Sequence, residues 1–186
     1  AVVTDEKRLG ETLSLLNKEP VFIITDSQVF KEVAAIVPKH LKLTSFSVLM
    51  ARHKGILPAL TTGINAVKRL ADGDMVLIAE GCTHHRQCED IGTVKIPRWL
   101  KTFTKKDIHI ETSSGMTFPQ DLSPYSLVIH CGGCMLNEKE KKYRVKEAKR
   151  QLRPIVNYGI LIAYMNGILE RSAEAVPELA FLKENS

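Results

Sequence analysis

Three short apolar runs constrain this chain more than any other feature. They are Val21-Phe22-Ile23-Ile24-Thr25, Met75-Val76-Leu77-Ile78-Ala79 and Leu127-Val128-Ile129-His130. A run that does not alternate with polar residues reads as a strand covered on both faces, and 21–25 is taken as such a strand. Helical periods lie between the runs. Leu9, Leu13 and Leu16 form one apolar stripe, and Leu57, Leu60, Ile64 and Val67 another. Residues 27–37 read as a helix stopped by Pro38. Residues 42–48, 108–112 and 155–157 read as further strands, and Val2-Val3-Thr4 as the remnant of one. Asn137 and Glu140 have the N-cap and N3 spacing of a capping box, so a basic helix starts there and ends before Pro154. Residues 160–172 read as a last helix. Strands separated by helices imply parallel sheet with right-handed crossovers. The fold class is therefore α/β, with mainly parallel sheet flanked by helices. The polar break Arg52-His53-Lys54-Gly55 is taken as the boundary between two small units, 1–52 and 53–186.

Length and composition set limits on function. At 186 residues with 44% hydrophobic and 25% charged side chains, the chain can build a core without disulfide staples. The longest uncharged stretch, 154–169, contains Pro154, Asn157, Gly159, Asn166 and Gly167. It is too short and too polar for a membrane span and reads as a buried strand and helix. The net charge of +5 comes from residues 138–153, where eight Lys and Arg face three Glu. Val145, Ala148 and Leu152 fall on one side of that segment, so its basic side is expected to be solvated. Only Tyr143 is aromatic there, which argues against nucleic-acid stacking. The N-terminus resembles neither a signal nor a transit peptide, and a cytoplasmic, reducing compartment is expected. The first residue is not Met, which is taken as a sign of a longer parent chain.

The chemistry collects behind the strands. Met75–Ala79 runs into Glu80-Gly81-Cys82-Thr83-His84-His85, and Leu127-Val128-Ile129 into His130-Cys131-Gly132-Gly133-Cys134. Ligands of open parallel sheets bind beyond the carboxyl ends of strands. If these two strands are neighbours, three thiols and up to three imidazoles converge. Thiolates and imidazoles bind zinc or iron–sulfur clusters. A Cys-x-x-Cys lets two sulfurs reach one centre, and Gly132 and Gly133 let the backbone curl around it. Zinc would take Cys82, Cys131, Cys134 and His84. A cluster on three cysteines would leave one iron for a histidine, a carboxylate, water or cargo. The same Cys-Gly-Gly-Cys also fits a thioredoxin-like dithiol. Cys88 reads as an ordinary small thiol, and Trp99 as core or interface.

The pair Cys82-Thr83-His84 and His130-Cys131-Gly132-Gly133-Cys134 closely resembles the HydF family, the GTPase maturases of FeFe hydrogenase, which carry C-x-H and then H-C-x-x-C. Ile24-Thr25-Asp26-Ser27-Gln28, Leu43-Thr44-Ser45-Phe46-Ser47, Asp90-Ile91-Gly92, Lys95-Ile96-Pro97-Arg98-Trp99 and Asn157-Tyr158-Gly159 resemble the same family. The family's G-x-x-x-x-G-K-[ST] phosphate loop is absent from this sequence, so nucleotide binding and GTP hydrolysis are not expected of it. The resemblance implies the remainder of a dimerisation domain in 1–52 and an iron–sulfur cluster domain in 53–186. It implies that Cys82, Cys131 and Cys134 ligate a 4Fe–4S cluster, with His84 and His130 as fourth ligand or supporting groups, and Glu80 as another candidate. It implies a non-catalytic scaffold that receives a di-iron precursor from radical-SAM maturases and delivers it to apo FeFe hydrogenase as a homodimer or larger assembly. A zinc-stabilised interaction module and a thiol oxidoreductase are the alternatives. Arg86, Lys95 and Arg98 are candidates to face an anionic cargo.

Overall fold

The computed structural model describes residues 1–81, 90–133 and 136–176. They form two parallel sheets packed with helices, an α/β fold. The larger sheet has four strands, β3 (Met75–Ala79), β4 (His109–Ser113), β5 (Leu127–His130) and β6 (Ile155–Asn157), in the order β4-β3-β5-β6. Every pairing is parallel: Met75 faces His109, Ala79 faces His130, and His130 faces Asn157. Its central strands are apolar up to His130 at the end of β5, because helices cover both faces. Val76, Leu77, Ile78, Leu127, Val128 and Ile129 are all fully buried.

The covering helices are α4 (Leu57–Arg69), α5 (Ile96–Thr104), α6 (Glu138–Arg150) and α7 (Tyr158–Met165). Helix α4 lies close on β6. A Cβ on Gly63 would stand 2.6 Å from Val156 Cβ and 2.8 Å from the Ile155 carbonyl carbon, so only glycine permits this approach. Helix α6 starts as the capping spacing predicts, with Asn137 Oδ1 accepting from the Glu140 N–H at 2.8 Å. Its basic side is not wholly solvated. Lys141 and Arg144 are buried, whereas Leu152, expected on the apolar side, lies past the helix end and is exposed. Arg144 is tolerated because Glu140, two backbone carbonyls and the Phe118 ring surround its guanidinium.

The smaller sheet pairs β1 (Ile23–Thr25) with β2 (Leu43–Ser45), Ile23 against Leu43. With α1 (Leu9–Ser14) and α2 (Phe30–Ile36) it encloses a second apolar cluster of Leu9, Phe30, Val33, Val37, Leu41 and Leu43. Helix α3 (Phe46–His53) follows β2 directly. The strand expected over 42–48 stops at Ser45 because its hydroxyl accepts from the Val48 N–H and starts the helix. The strand expected over 21–25 is shorter and less covered than its composition implies. Val21, Phe22 and Ile24 are exposed, and residues 2–4 form no strand.

The last expected helix is two, α7 and α8 (Leu169–Glu174). Asn166-Gly167 separates them, with Gly167 at φ +67°, a left-handed turn that ends a helix. Helix α8 turns back onto β2, and Arg171 donates to the carbonyls of Ala34, Val37 and Pro38 at 2.7, 2.6 and 2.8 Å. Among the described residues no helix is long and apolar enough to cross a membrane.

Candidate metal centre

The strands ending in Ala79 and His130 are neighbours, as convergence of the two cysteine groups requires. The Cys131 N–H donates to the Ala79 carbonyl at 3.0 Å, which sets Cys131 beside Gly81, the residue before Cys82. Cys131 Sγ accepts two backbone N–H groups, from Gly81 at 3.0 Å and Gly133 at 3.2 Å. Two aligned donors favour a thiolate, the form that binds metal. The backbone here depends on glycine. Gly133 sits at φ +61°, and a Cβ on it would meet Lys141 Cε at 2.7 Å.

His130 is buried beside Cys131. Its Nδ1 lies 2.6 Å from the Cys131 carbonyl oxygen. A carbonyl only accepts, so Nδ1 carries the hydrogen and Nε2 carries the lone pair. Nε2 is buried and has no hydrogen-bond partner among the described residues. Burial is the main force that pushes this imidazole down to about 4, with the nearby Arg144 and Lys141 charges acting in the same direction. The ring is therefore neutral at neutral pH, the state in which an imidazole can ligate or accept a hydrogen bond. The thiolate cradle and this orphaned nitrogen fit a metal or iron–sulfur centre. A cavity of about 180 Å³ between α3, α4 and α6 reaches both Cys131 and His130, with Lys54 and Lys141 among its walls.

Cys82, His84, Cys88 and Cys134, together with His85 and Arg86, lie outside the described residues. Of the other cationic candidates, Lys95 Nζ reaches Gln28 Oε1 at 3.5 Å and Arg98 is exposed. Trp99 packs partly buried against the main core, the structural role expected of it.

Sequence reasoning weighed Glu80 only as an iron ligand, met Tyr158 only within a family-like stretch without giving it a role, and missed Arg144. The Tyr158 hydroxyl donates to Glu80 Oε1 at 3.1 Å. Burial chiefly, and then the Glu80 and Cys131 charges, hold the phenol far above its usual range. Arg144 Nη1 donates to the Glu80 carbonyl at 3.5 Å while its Nε holds Glu140 Oε1 at 2.8 Å. The i,i+4 spacing of Glu140 and Arg144 on a helix was the one signal that could have singled out the arginine. Downstream, Asp90 Oδ1 accepts from the Thr93 N–H at 2.8 Å, opening a π-helical turn, Ile91–Lys95, that leads into α5. Such turns recur at functional sites. Gly92 in this turn packs against the Glu80 carboxylate and the Tyr158 hydroxyl, leaving no room for a Cβ.

No individually curated protein matches the chain. Residues 1–55 match the Hydrogen maturase F dimerization domain, and residues 58–175 match the Hydrogen maturase F tetramerization domain. With both matches together covering most of its length, the chain belongs to the HydF family, whose role is in FeFe hydrogenase maturation.

Proposed function

We propose that this chain is a scaffold that holds a 4Fe–4S cluster through Cys82, Cys131 and Cys134. It assembles and carries the di-iron precursor made by radical-SAM maturases and delivers it to apo FeFe hydrogenase. When bound, the cluster supplies an iron with an exchangeable coordination position. The observation that supports this most is the Cys131 sulfur at the carboxyl end of β5, held by the N–H of the residue that precedes Cys82. His130 Nε2 is the ligand or supporting group within the described residues, and His84 is its counterpart after Cys82. The protein's part is to fix three thiolates, exclude competing donors and leave one coordination position for cargo. Residues 53–186 carry this centre, and residues 1–52 pair two copies in a homo-oligomer. Val21, Phe22 and Ile24 leave an apolar edge on β1 of the kind a second chain covers.

Anaerobic reconstitution tests the reading. The protein should turn brown and hold iron and sulfide in about equal numbers, as a 4Fe–4S composition requires. Cys82→Ser, Cys131→Ser and Cys134→Ser should each lose most of the iron, and Cys88→Ser should keep it. A colourless protein carrying zinc makes the chain a zinc-stabilised module instead. Disulfide reduction without any metal makes it a thiol oxidoreductase.

A further inference from the structure

We propose that Tyr158 is a positioning residue for the metal centre: its hydroxyl fixes the Glu80 side chain, and this keeps the Gly81 N–H aimed at Cys131 Sγ. The inference rests on the cluster reading. It follows from the order of the strands. Tyr158 opens α7 immediately after β6, and Glu80 follows β3. Between β3 and β6 lies β5, which ends at His130. To donate to Glu80 Oε1 at 3.1 Å, the Tyr158 side chain must cross the end of β5, where Cys131 stands.

Glu80 is held at three points. Its N–H donates to the Ser113 carbonyl at 2.8 Å, its own carbonyl accepts from Arg144, and its carboxylate accepts from Tyr158. The Glu80 carbonyl and the Gly81 N–H belong to one planar peptide group. Whatever fixes Glu80 therefore fixes the direction of the N–H that meets the sulfur at 3.0 Å. Gly92 adds to the hold, since its Cα packs against the same carboxylate and hydroxyl. Hydrogen bonds to the sulfurs help set the reduction potential of an iron–sulfur centre, and partners outside the ligand set often matter tenfold or more to metal affinity. A tyrosine hydroxyl can donate where the carboxylate can only accept, so the direction of this bond is fixed.

Tyr158→Phe tests this because it keeps the ring and removes only the hydroxyl. In metal-free protein, amide hydrogen exchange at Gly81 should rise severalfold, while exchange at Ile129 in the core stays as it was. After anaerobic reconstitution, iron affinity should fall about tenfold. The midpoint potential should become more negative, because a weaker N–H···S contact stabilises the reduced cluster less. Glu80→Gln retains an acceptor for Tyr158 and should keep the wild-type Gly81 exchange rate, although the lost charge shifts the potential; Glu80→Ala should raise Gly81 exchange as Tyr158→Phe does. Unchanged Gly81 exchange and potential in Tyr158→Phe, with a wild type that holds its cluster, would overturn the proposal. Loss of iron in Glu80→Gln with retention in Tyr158→Phe would also overturn it, making Glu80 an iron ligand. A wild type that takes up no iron sinks the cluster reading instead, and Gly81 exchange then decides the positioning role alone.

Discussion

Both sheets are parallel and both gather polar residues at the carboxyl ends of their strands, yet they use those ends differently. In the two-stranded sheet, Asp26 after β1 accepts from the Gln28 N–H at 2.8 Å, and Ser45 at the end of β2 caps α3. These groups are consumed by local turns and helix starts. In the four-stranded sheet the residues after β3 and β5 aim backbone N–H groups at a sulfur, and an imidazole nitrogen has no partner among the described residues. Coverage differs in the same direction. Ile129 on β5 is fully buried, whereas Ile24 on β1 is about half exposed, at 53%. A site that must hold a reactive centre is built on the rigid, doubly covered sheet. The sheet left partly open lies in the residues that match the dimerization domain, and its exposed apolar edge is suited to meet another chain.

The sharpest way to break this contrast is to truncate a core residue in each strand. Ile129→Ala should destabilise by about 2–5 kcal/mol, since the removed atoms leave a cavity between packed helices. Ile24→Ala should cost roughly 0.5 kcal/mol or less in the dissociated chain, because its side chain already meets solvent. Urea denaturation at low protein concentration measures both. Equal losses would mean that β1 is as covered as β5. Sedimentation of Ile24→Asp, expected to dissociate the assembly, tests whether that open face is where copies meet.

Next in size is Gly63→Ala. The added methyl would collide with Val156 and the Ile155 backbone, and backbone cannot move aside as a flexible side chain can. A loss of about 1–3 kcal/mol is expected from overpacking. An unchanged denaturation midpoint would show that α4 can lift from β6 at little cost, and the large sheet would then be less rigid than its burial implies.

Arg171→Met sharpens the comparison at the seam between the sheets. The guanidinium of α8 ties three carbonyls at the end of α2 and beyond. Charged hydrogen bonds of this kind contribute about 1.5–3 kcal/mol before the exposed member is discounted, so a net loss of about 1–2 kcal/mol is expected. Hydrogen exchange should rise in α2 and leave β5 protected. Equal loosening of both would show that the two sheets unfold as one unit.

What the sequence revealed follows the same division. The apolar runs of β3 and β5 made them legible as strands, though their pairing was only a condition of the site, and the Asn137 cap located α6. The run 21–25 looks the same on paper but is only half covered, because burial depends on what packs over a strand and not on the strand's own residues. Ser45 ended β2 early through a hydrogen bond that hydrophobic periodicity does not register. Of the site, Cys131 and His130 could be read from their motif. Tyr158, Arg144 and Glu80 meet across 78 and 64 residues of sequence separation, and only the strand order joins them.

The smallest effect expected lies at the C-terminal end of α6, and it measures how much an ion pair with one exposed partner, Arg150, adds to the well-covered sheet. Glu147 accepts from Arg150 Nε at 3.0 Å and from Gln151 Nε2 at 2.7 Å. Gln151 in turn accepts from the Leu122 N–H and donates to the Gln120 carbonyl, so the carboxylate helps dock the turn before β5 onto the end of α6. These hydrogen bonds, Arg150's first, hold the Glu147 carboxyl down to about 2 against an ordinary 4.5. The unfolded chain therefore takes up its proton first as pH falls. The stabilisation is fully present above about pH 4.5 and is lost progressively as pH falls through 2. Thermal midpoints of metal-free wild type and Glu147→Ala should differ at pH 7 and converge toward pH 2, with the pH 7 gap shrinking in added salt. A gap that stays constant over this range would mean that Glu147 acts through packing alone, and that the docking of 120–122 owes nothing to its charge.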